Sequence, residues 1–145
     1  MEWITSLRGT IVGLDTAPLI YLIEDHPVYS AKLVPFFSAA ERGEFQIVTS
    51  IVTLIEVLVH PIRSGRADLA RQYRDILLHS TGLTTFPIRE DIAGEAARLR
   101  AIHGLRTPDA IQLATAIRNG ATSFLTDDLN LPIVPGLSTL TLDTL

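Results

Sequence analysis

The chain has 145 residues, about the usual size of one domain, and it contains no cysteine, which excludes disulfide bonds, thiolate catalysis and cysteine-rich zinc sites. Its formal net charge of -4 argues against a broad electrostatic grip on nucleic acid and leaves room for a local basic patch. No apolar run reaches the roughly 18 residues of a membrane-spanning helix, and the amino terminus lacks the basic start and apolar core of a signal peptide. We therefore expect a single domain over residues 1–145, soluble in the cytoplasm and without membrane contact.

Strands and helices alternate along the chain, as judged from apolar periodicity and from the residues that start and stop helices. The predicted elements in chain order are a strand over 9–14, helices over 16–24 and 27–42, a strand over 45–48, a helix over 51–60 ended by Pro61, a helix over 66–80, a strand over 83–88, helices over 90–103 and 107–118, a strand over 122–126 and a short fifth strand near the carboxyl end. Thr16 and Thr107, each closely followed by a proline, are the predicted caps of two of these helices.

Strands separated by helices of this length indicate parallel pairing with right-handed crossovers. The predicted fold class is therefore α/β, a three-layer α/β/α sandwich with a mostly parallel sheet of four to five strands. In such sheets the functional crevice lies beyond the carboxyl ends of the strands. Residues that directly follow a strand are therefore the first candidates for a site.

Acidic residues follow two of the predicted strands. Asp15 comes directly after the first strand, and Asp127 and Asp128 follow the fourth, in FLTDDLN. Both groups should lie at the same edge of the sheet and close together. Taken alone, Asp15 is better explained as a helix cap that stabilises the positive end of the helix.

Two further acids lie in predicted helices. Asp109 lies in the first turn of the helix in RTPDAIQLATA, where the helix dipole favours a negative charge by a few tenths up to about 1 kcal/mol. Glu56 is the only charged residue of IVTLIEVLV, whose apolar residues occupy every face, so we expect this helix to be buried. A buried carboxylate must be paired, hydrogen-bonded, protonated or bound to a metal, and Arg63 or Arg106 is the alternative to a metal as its partner.

These acids come from four regions of the chain, and they would repel one another in a single crevice unless a cation neutralised them. Carboxylate oxygens without cysteine or histidine are the ligands of a hard divalent ion. The sequence therefore predicts a Mg²⁺ site, with Mn²⁺ as the alternative ion. Ca²⁺ is less expected because the chain has no EF-hand loop of the Asp-x-Asp-x-Asp-Gly kind.

Four segments resemble the acidic motifs of the PIN-domain ribonucleases, in particular those of the VapC-type toxins of type II toxin–antitoxin pairs. They are VGLDTAPLIYLIE, TSIVTLIEVLVHPIRSG, RTPDAIQLATA and SFLTDD, in the order of the family. The resemblance implies that the catalytic acids are Asp15, Glu56, Asp109 and Asp128. Of these, Asp15, Asp109 and Asp128 are the implied metal ligands.

The Thr-x-Asp pattern of the family selects Asp128 as the fourth acid, and Asp127 is the alternative. Thr16 and Thr126 match hydroxyl residues that steady the site in the family. Ordinary helix capping and strand-end hydrogen bonding explain these two threonines equally well.

The resemblance implies a Mg²⁺-dependent endoribonuclease that hydrolyses single-stranded or looped RNA through a metal-activated water. It also implies a VapB-type antitoxin partner whose basic tail occupies the acidic site. Arg63, Arg66 and Arg106 are candidates for contacts with RNA phosphates or with the antitoxin, although exposed ion pairs in a solvated loop explain Arg63 and Arg66 as well.

Leucine- and isoleucine-rich helix faces at 19–23 and 51–59 suit a homodimer and antitoxin contacts as well as core packing, and we expect a homodimer. The tyrosines, Tyr21 among them, are expected to pack in the core or an interface. The rival functions are a catalytically silent PIN-fold binding module and a housekeeping or structure-specific metal-dependent nuclease. A phosphatase would favour Asp-x-Asp spacing, whereas the chain has Asp-Thr-Ala after its first strand.

Overall fold

Seven α-helices and five β-strands follow one another in the computed structural model, which describes residues 1–145. They are α1 (Glu2–Thr5), β1 (Ile11–Leu14), α2 (Thr16–Ile23), α3 (Ser30–Glu41), β2 (Gln46–Ser50), α4 (Ile51–Arg63), α5 (Ala67–His79), β3 (Leu83–Phe86), α6 (Glu90–His103), α7 (Thr107–Arg118), β4 (Ser123–Thr126) and β5 (Ser138–Thr141), and a 3-10 helix (Leu142–Thr144) follows β5. None of these helices has both the length and the apolar character needed to cross a membrane.

The five strands form one parallel sheet in the order β3-β2-β1-β4-β5. The central strand β1 pairs on one side with β2, where Ile11 lies opposite Gln46, and on the other with β4, where Gly13 lies opposite Phe124. The carboxyl ends of all five strands therefore meet at one edge, and the chain turns from one side of the sheet to the other at β1. The predicted α/β sandwich around a parallel sheet of four to five strands is confirmed.

Neighbouring residues on the inner strands face opposite layers of helices. Ile47 and Leu125 belong to the larger core cluster, with residues of α3 and α5, whereas Val48 and Phe124 belong to a smaller cluster with residues of α6 and α7. Burial on both faces explains why each of these strands has two apolar residues in succession rather than an apolar residue alternating with a polar one.

A glycine on the central strand brings α7 close to the sheet. A Cβ atom at Gly13 would lie 2.6 Å from the Cβ of Ala116 on α7 and 2.7 Å from the Cδ1 of Phe124 on β4. Because these side chains leave no room for even a methyl group, Gly13 permits a helix–strand contact that a larger residue would push apart. This contact packs the last turn of α7 against β1.

The prediction that α4 ends at Pro61 is wrong, because the helix continues to Arg63. Proline lacks the N–H that would bond the carbonyl four residues earlier, but only the last turn is affected. That turn closes through the Ser64 N–H, which donates to the His60 carbonyl at 2.9 Å.

The prediction that α4 is buried on every face is also wrong. Ile55, Val59 and Ile62 are 61%, 45% and 63% exposed, while Val52 and Val57 pack into the interior. We call the first three residues the apolar stripe of α4. The helix is therefore a surface helix whose outward face happens to be apolar.

The remaining predicted elements lie close to their observed bounds, with small differences. The second predicted helix begins at Ser30 rather than at residue 27, and α1 and the 3-10 helix were not predicted. The helix predicted to close at Gly104 does so, because this glycine adopts φ 68°, the left-handed conformation that ends many helices.

Candidate active site

An open cleft of about 420 Å³ lies at the carboxyl edge of the sheet, beyond the ends of β1 and β4. It is lined by nine residues: Asp15, Thr16, Ala17, Ile20, Glu56, Arg106, Asp109, Asp127 and Asp128. The structure thus brings together every acid predicted for the site. Arg106 lies at the same cleft, whereas Arg63 and Arg66 line other surface depressions, near the ends of α4 and α5.

Asp15 occupies the N-cap position of α2, which the sequence assigned to Thr16. One carboxylate oxygen, Oδ1, accepts a hydrogen bond from the Thr16 N–H at 2.7 Å, and Oδ2 accepts one from the Thr126 hydroxyl at 2.7 Å. Burial raises the pKa of Asp15 and these two hydrogen bonds lower it, while the negative charges of Asp109 and Glu56 raise it further. A desolvated carboxylate beside two others is stabilised by a cation.

Glu56 projects from α4 into the cleft without an arginine partner. Its Oε1 accepts hydrogen bonds from the Thr16 hydroxyl at 2.6 Å and from the Gln112 side-chain amide at 3.2 Å. Its Oε2 accepts none and is open to solvent, since Ser123 Oγ is the single buried side-chain polar atom without a partner. The ion pair with Arg63 or Arg106 that the sequence left open does not form; neutral donors hold this carboxylate.

Asp109 lies in the first turn of α7, and the N-cap of that helix is Arg106 rather than the predicted Thr107. The Nε of Arg106 lies 3.1 Å from Oδ2 of Asp109. The arginine side chain is 80% exposed and the aspartate side chain 23% exposed. An ion pair this exposed is weak, so it holds Asp109 only loosely. Oδ1 of Asp109 accepts no hydrogen bond.

Thr126, the last residue of β4, connects the acids that follow the two central strands. Its hydroxyl donates to Asp15 and accepts a hydrogen bond from the Asp128 N–H at 2.9 Å. Oδ1 of Asp128 in turn accepts from the Asn130 N–H at 2.8 Å, closing a tight turn. One buried hydroxyl therefore fixes the distance between β1 and the loop after β4.

Asp127 has a different partner, the hydroxyl of Tyr21 on α2. This hydrogen bond, followed by burial, raises the pKa of Tyr21 to about 12. The Tyr21 ring also packs against His26 and Tyr29, at centroid distances of 4.5 and 5.4 Å. Asp127 is therefore held toward the aromatic side of the cleft.

Sequence reasoning missed Gln112 and gave Tyr21 only a packing role. Gln112 lies three residues after Asp109 on α7, is 3% exposed, and contacts Thr16, Thr53 and Glu56 through its amide nitrogen. One signal was available: within the apolar part of RTPDAIQLATA, it is the single side chain with an amide. A polar side chain at this spacing lies on the same helix face as the acid.

The donor atoms of the cleft suit a divalent cation, although the side chains do not form a complete coordination shell. No group of three or more Asp, Glu or His side chains stands together at metal-binding spacing, with Asp109 held by Arg106 and Asp127 by Tyr21. The donors are nevertheless all oxygens, and Glu56 offers a free one. Burial, and to a smaller extent the neighbouring negative charges, disfavour the charged form of Asp15. This donor set suits Mg²⁺ or Mn²⁺, provided that the side chains at the rim turn inward.

Solved structures with the same fold come from toxin–antitoxin systems. A chain of the VapBC2 complex from Rickettsia felis, bound to a promoter DNA fragment, matches with a TM-score of 0.70 and 19% identity over 90% of this chain and 98% of that one. A toxin–antitoxin complex from Klebsiella pneumoniae gives 0.64 and 26%, over 90% and 97%. VapC20 from Mycobacterium tuberculosis, described as a toxin that cleaves the sarcin-ricin loop, gives 0.68 and 17%, over 83% and 92%.

No curated protein is significantly similar to the chain in sequence. A family model does match, that of the PIN domain, and it spans residues 12–137. The match includes all four acidic segments and the first four strands apart from Ile11, and it ends one residue before β5. It confirms the resemblance drawn from the motifs. The chain belongs to the PIN domain family.

Proposed function

We propose that this protein is a Mg²⁺-dependent endoribonuclease and the toxin of a type II toxin–antitoxin pair. One observation carries the proposal: Asp15, Glu56, Asp109 and the pair Asp127–Asp128 come from distant parts of the chain and line one cleft beyond the sheet. Gathering these acids in one cleft costs free energy through their mutual repulsion, and a bound cation would offset that cost. The fold matches from toxin–antitoxin complexes support the biological setting.

In this proposal Asp15, Asp109 and Asp128 hold the metal, Mg²⁺ or Mn²⁺. When bound, the ion supplies a water of lowered pKa and neutralises charge that develops on the scissile phosphate. Glu56 presents its free Oε2 to the cleft, where it orients the attacking water and accepts its proton. No histidine lines the cleft, so in this proposal the proton that Glu56 accepts from the water would pass to the leaving 3′-oxygen as the P–O bond breaks.

Asp128 is the proposed fourth acid in preference to Asp127. Thr126 bonds to both the Asp15 carboxylate and the Asp128 backbone, which ties Asp128 to the acid that follows the central strand. Asp127 already gives one oxygen to Tyr21. This assignment makes Thr126 and Thr16 the supporting residues.

The proposed substrate is RNA, and the exposed Arg106 at the edge of the acid cluster is the candidate contact to a phosphate. A basic antitoxin tail would compete for the same acids. The apolar stripe of α4, with Arg63 beside it, is the candidate surface for homodimer or antitoxin contacts. Arg66 already pairs with Asp68 at 3.0 Å, which leaves it the weaker candidate.

The test is cleavage of a mixed RNA pool by the purified chain with Mg²⁺, Mn²⁺ or EDTA. We expect metal-dependent cleavage that falls by more than about 100-fold in Asp15→Asn and Asp109→Asn, because loss of mere outer-shell partners already lowers activity about 10- to 100-fold. Asp75→Asn, at an exposed acid of α5 outside the cleft, is the matched control and should cut as the wild type does.

The outcomes separate the rival functions. Equal cleavage by the folded Asp15→Asn variant and the wild type would remove the acids from the chemistry. Cleavage of a structured DNA but not of RNA would indicate a structure-specific nuclease. Metal-dependent RNA binding without any cleavage would indicate a binding module.

A further inference from the structure

A buried amide joins the elements that carry the acids. The side-chain nitrogen of Gln112 on α7 lies 2.7 Å from the hydroxyl of Thr16 on α2, 3.1 Å from that of Thr53 on α4 and 3.2 Å from Oε1 of Glu56. Gln112 and Thr53 are both buried, at 3% and 0% exposure. Hydrogen bonds among such groups are expensive to leave unmade.

The direction of the hydrogen bonds is fixed on the Thr53 side. The Thr49 hydroxyl donates to the carbonyl of Leu14, the last residue of β1, at 2.9 Å. Thr53, whose hydroxyl lies 2.7 Å from that of Thr49, must therefore donate its proton to Thr49. Because a hydroxyl has one proton, Thr53 can only accept from Gln112.

The same holds on the Thr16 side. A carboxylate has no proton to give, so the Thr16 hydroxyl donates to Oε1 of Glu56 and accepts from Gln112. If the Gln112 amide were flipped, its carbonyl oxygen would face the Glu56 carboxylate, and two acceptors would meet without a proton between them. The nitrogen of Gln112 is thus the donor at the head of both chains of hydrogen bonds. Its two protons serve three acceptors, so the proton directed at Thr16 is shared with Oε1 of Glu56, which lies 2.6 Å from the Thr16 hydroxyl.

We propose that Gln112 is a positioning residue for Glu56: its neutral amide and the Thr16 hydroxyl hold Oε1, so that only Oε2 points to the cleft. An arginine in this place would also hold Oε1, but it would cancel the negative charge that favours a metal. The amide orients the carboxylate and leaves its charge unchanged. Through Thr53 and Thr49 it also ties this carboxylate to the end of β1, directly before Asp15.

The inference rests on the proposed function only in giving Glu56 a catalytic role; the coupling of Gln112 to Glu56 is a separate claim. Gln112→Met keeps the size of the side chain and removes the donor. Thr115→Val is the matched control, because Thr115 is equally buried on α7 but donates only to the carbonyl of Ile111 in its own helix, at 2.7 Å.

In RNA cleavage we expect Gln112→Met to lower kcat about 10- to 100-fold, as for other outer-shell partners of a catalytic group, with KM for RNA unchanged. Thr115→Val should keep the wild-type kcat. In a Glu56→Ala background the Gln112→Met change should lower kcat no further. An equal loss in both backgrounds, or the same loss in Thr115→Val, would overturn the positioning role.

A double-mutant cycle measured by thermal unfolding tests the coupling independently of nuclease activity. Gln112→Met, Glu56→Ala and the double variant are melted without RNA, and we expect the double variant to melt higher than the sum of the two single shifts predicts, because contacting residues are not additive. Additive shifts would overturn the inference even if the wild type cleaves RNA, and non-additive shifts would support it even if the wild type is inactive. If Gln112→Met does not fold, Gln112→Asn, whose shorter chain withdraws the amide, replaces it in both measurements.

Discussion

The two sides of the cleft hold their acids in different ways. On the inner side, Asp15 and Glu56 accept hydrogen bonds from neutral donors, among them the hydroxyls of Thr126 and Thr16. On the outer side, Asp109 is held by an exposed arginine and Asp127 by a partly buried tyrosine.

This difference separates a fixed half of the site from an adjustable one. Buried neutral donors set the direction of a carboxylate without removing its charge, whereas exposed pairs of the Arg106–Asp109 kind contribute about 0–1 kcal/mol and exchange readily. Inner acids should therefore be in place before a metal arrives, and outer acids should turn toward it. Loss of a buried donor on the inner side should therefore lower stability and activity together, whereas loss of the exposed Arg106 on the outer side should change mainly metal binding.

The largest effect should come from Thr126→Val on the inner side. The change leaves Oδ2 of Asp15 and the Asp128 N–H without their shared partner, and each unsatisfied buried group costs about 1–3 kcal/mol. We expect the free energy of unfolding to fall by roughly that amount in urea denaturation, and RNA cleavage to fall with it. Ser123→Ala on the same strand is the control, because the Ser123 hydroxyl has no partner to lose. Equal destabilisation by the two changes would mean that the hydrogen bonds of Thr126 to Asp15 and Asp128 do not stabilise the fold.

The next effect concerns pH. The pKa of Asp15 lies above 3.8 in the folded chain, chiefly because of burial, so the folded state binds this proton more tightly than the unfolded state does. The stabilising contribution of Asp15 is therefore complete below pH 3.8 and is lost as the pH rises through the folded-state pKa. Without metal, Asp15→Asn should raise Tm at pH 7 by a few degrees, and this advantage should shrink toward pH 4.

Added Mg²⁺ should raise the Tm of the wild type at pH 7 and that of Asp15→Asn much less, because a ligand that binds the folded state stabilises it by mass action. Melting curves over this pH range, with and without metal, measure both effects. A wild type more stable than Asp15→Asn at pH 7 without metal would show that the hydrogen bonds from Thr16 and Thr126 outweigh the burial of the charge.

A smaller effect is expected on the outer side from Tyr21→Phe. Loss of the hydrogen bond to Asp127 should lower the free energy of unfolding by about 0.5–1.5 kcal/mol and should leave RNA cleavage in place. Asp127→Asn should in turn move the pKa of Tyr21 from about 12 toward the ordinary 10.0, which an ultraviolet titration of the phenols measures. Loss of cleavage in Tyr21→Phe would show that Asp127, not Asp128, is the fourth acid.

The division into two halves also explains what the sequence could predict. Asp15, Asp127 and Asp128 directly follow strands, so the rule that the site lies at the carboxyl ends of the strands collects them without knowledge of the packing. The choice of Asp109, and of Asp128 over Asp127, came from the resemblance to the family motifs. The partners that hold them are defined only in three dimensions: 96 residues separate Gln112 from Thr16, and 106 separate Tyr21 from Asp127. No local pattern connects such pairs.

The error in α4 has a related cause. The two polar residues of its apolar run, Thr53 and Glu56, face the interior and the cleft, so no polar residue marks the outward face. Periodicity therefore could not distinguish a buried helix from a surface helix with an apolar stripe. The strands β1 and β2 also have apolar residues in succession, IVGL and IV, and they were predicted correctly because helices do cover both of their faces.

The smallest effect on stability should come from Arg106→Gln, which tests the adjustable half directly. Tm should stay close to the wild-type value, because the arginine is 80% exposed. Mn²⁺ should bind more tightly, since the variant removes a competing cation from Asp109; a unit charge a few ångströms away contributes about 1 kcal/mol in water, or roughly a fivefold shift in half-saturation. Titration of free Mn²⁺ by electron paramagnetic resonance measures this shift. Arg118→Gln, at the exposed far end of α7, controls for net charge, and an equal shift there would mean that the pair with Asp109 does not regulate the site.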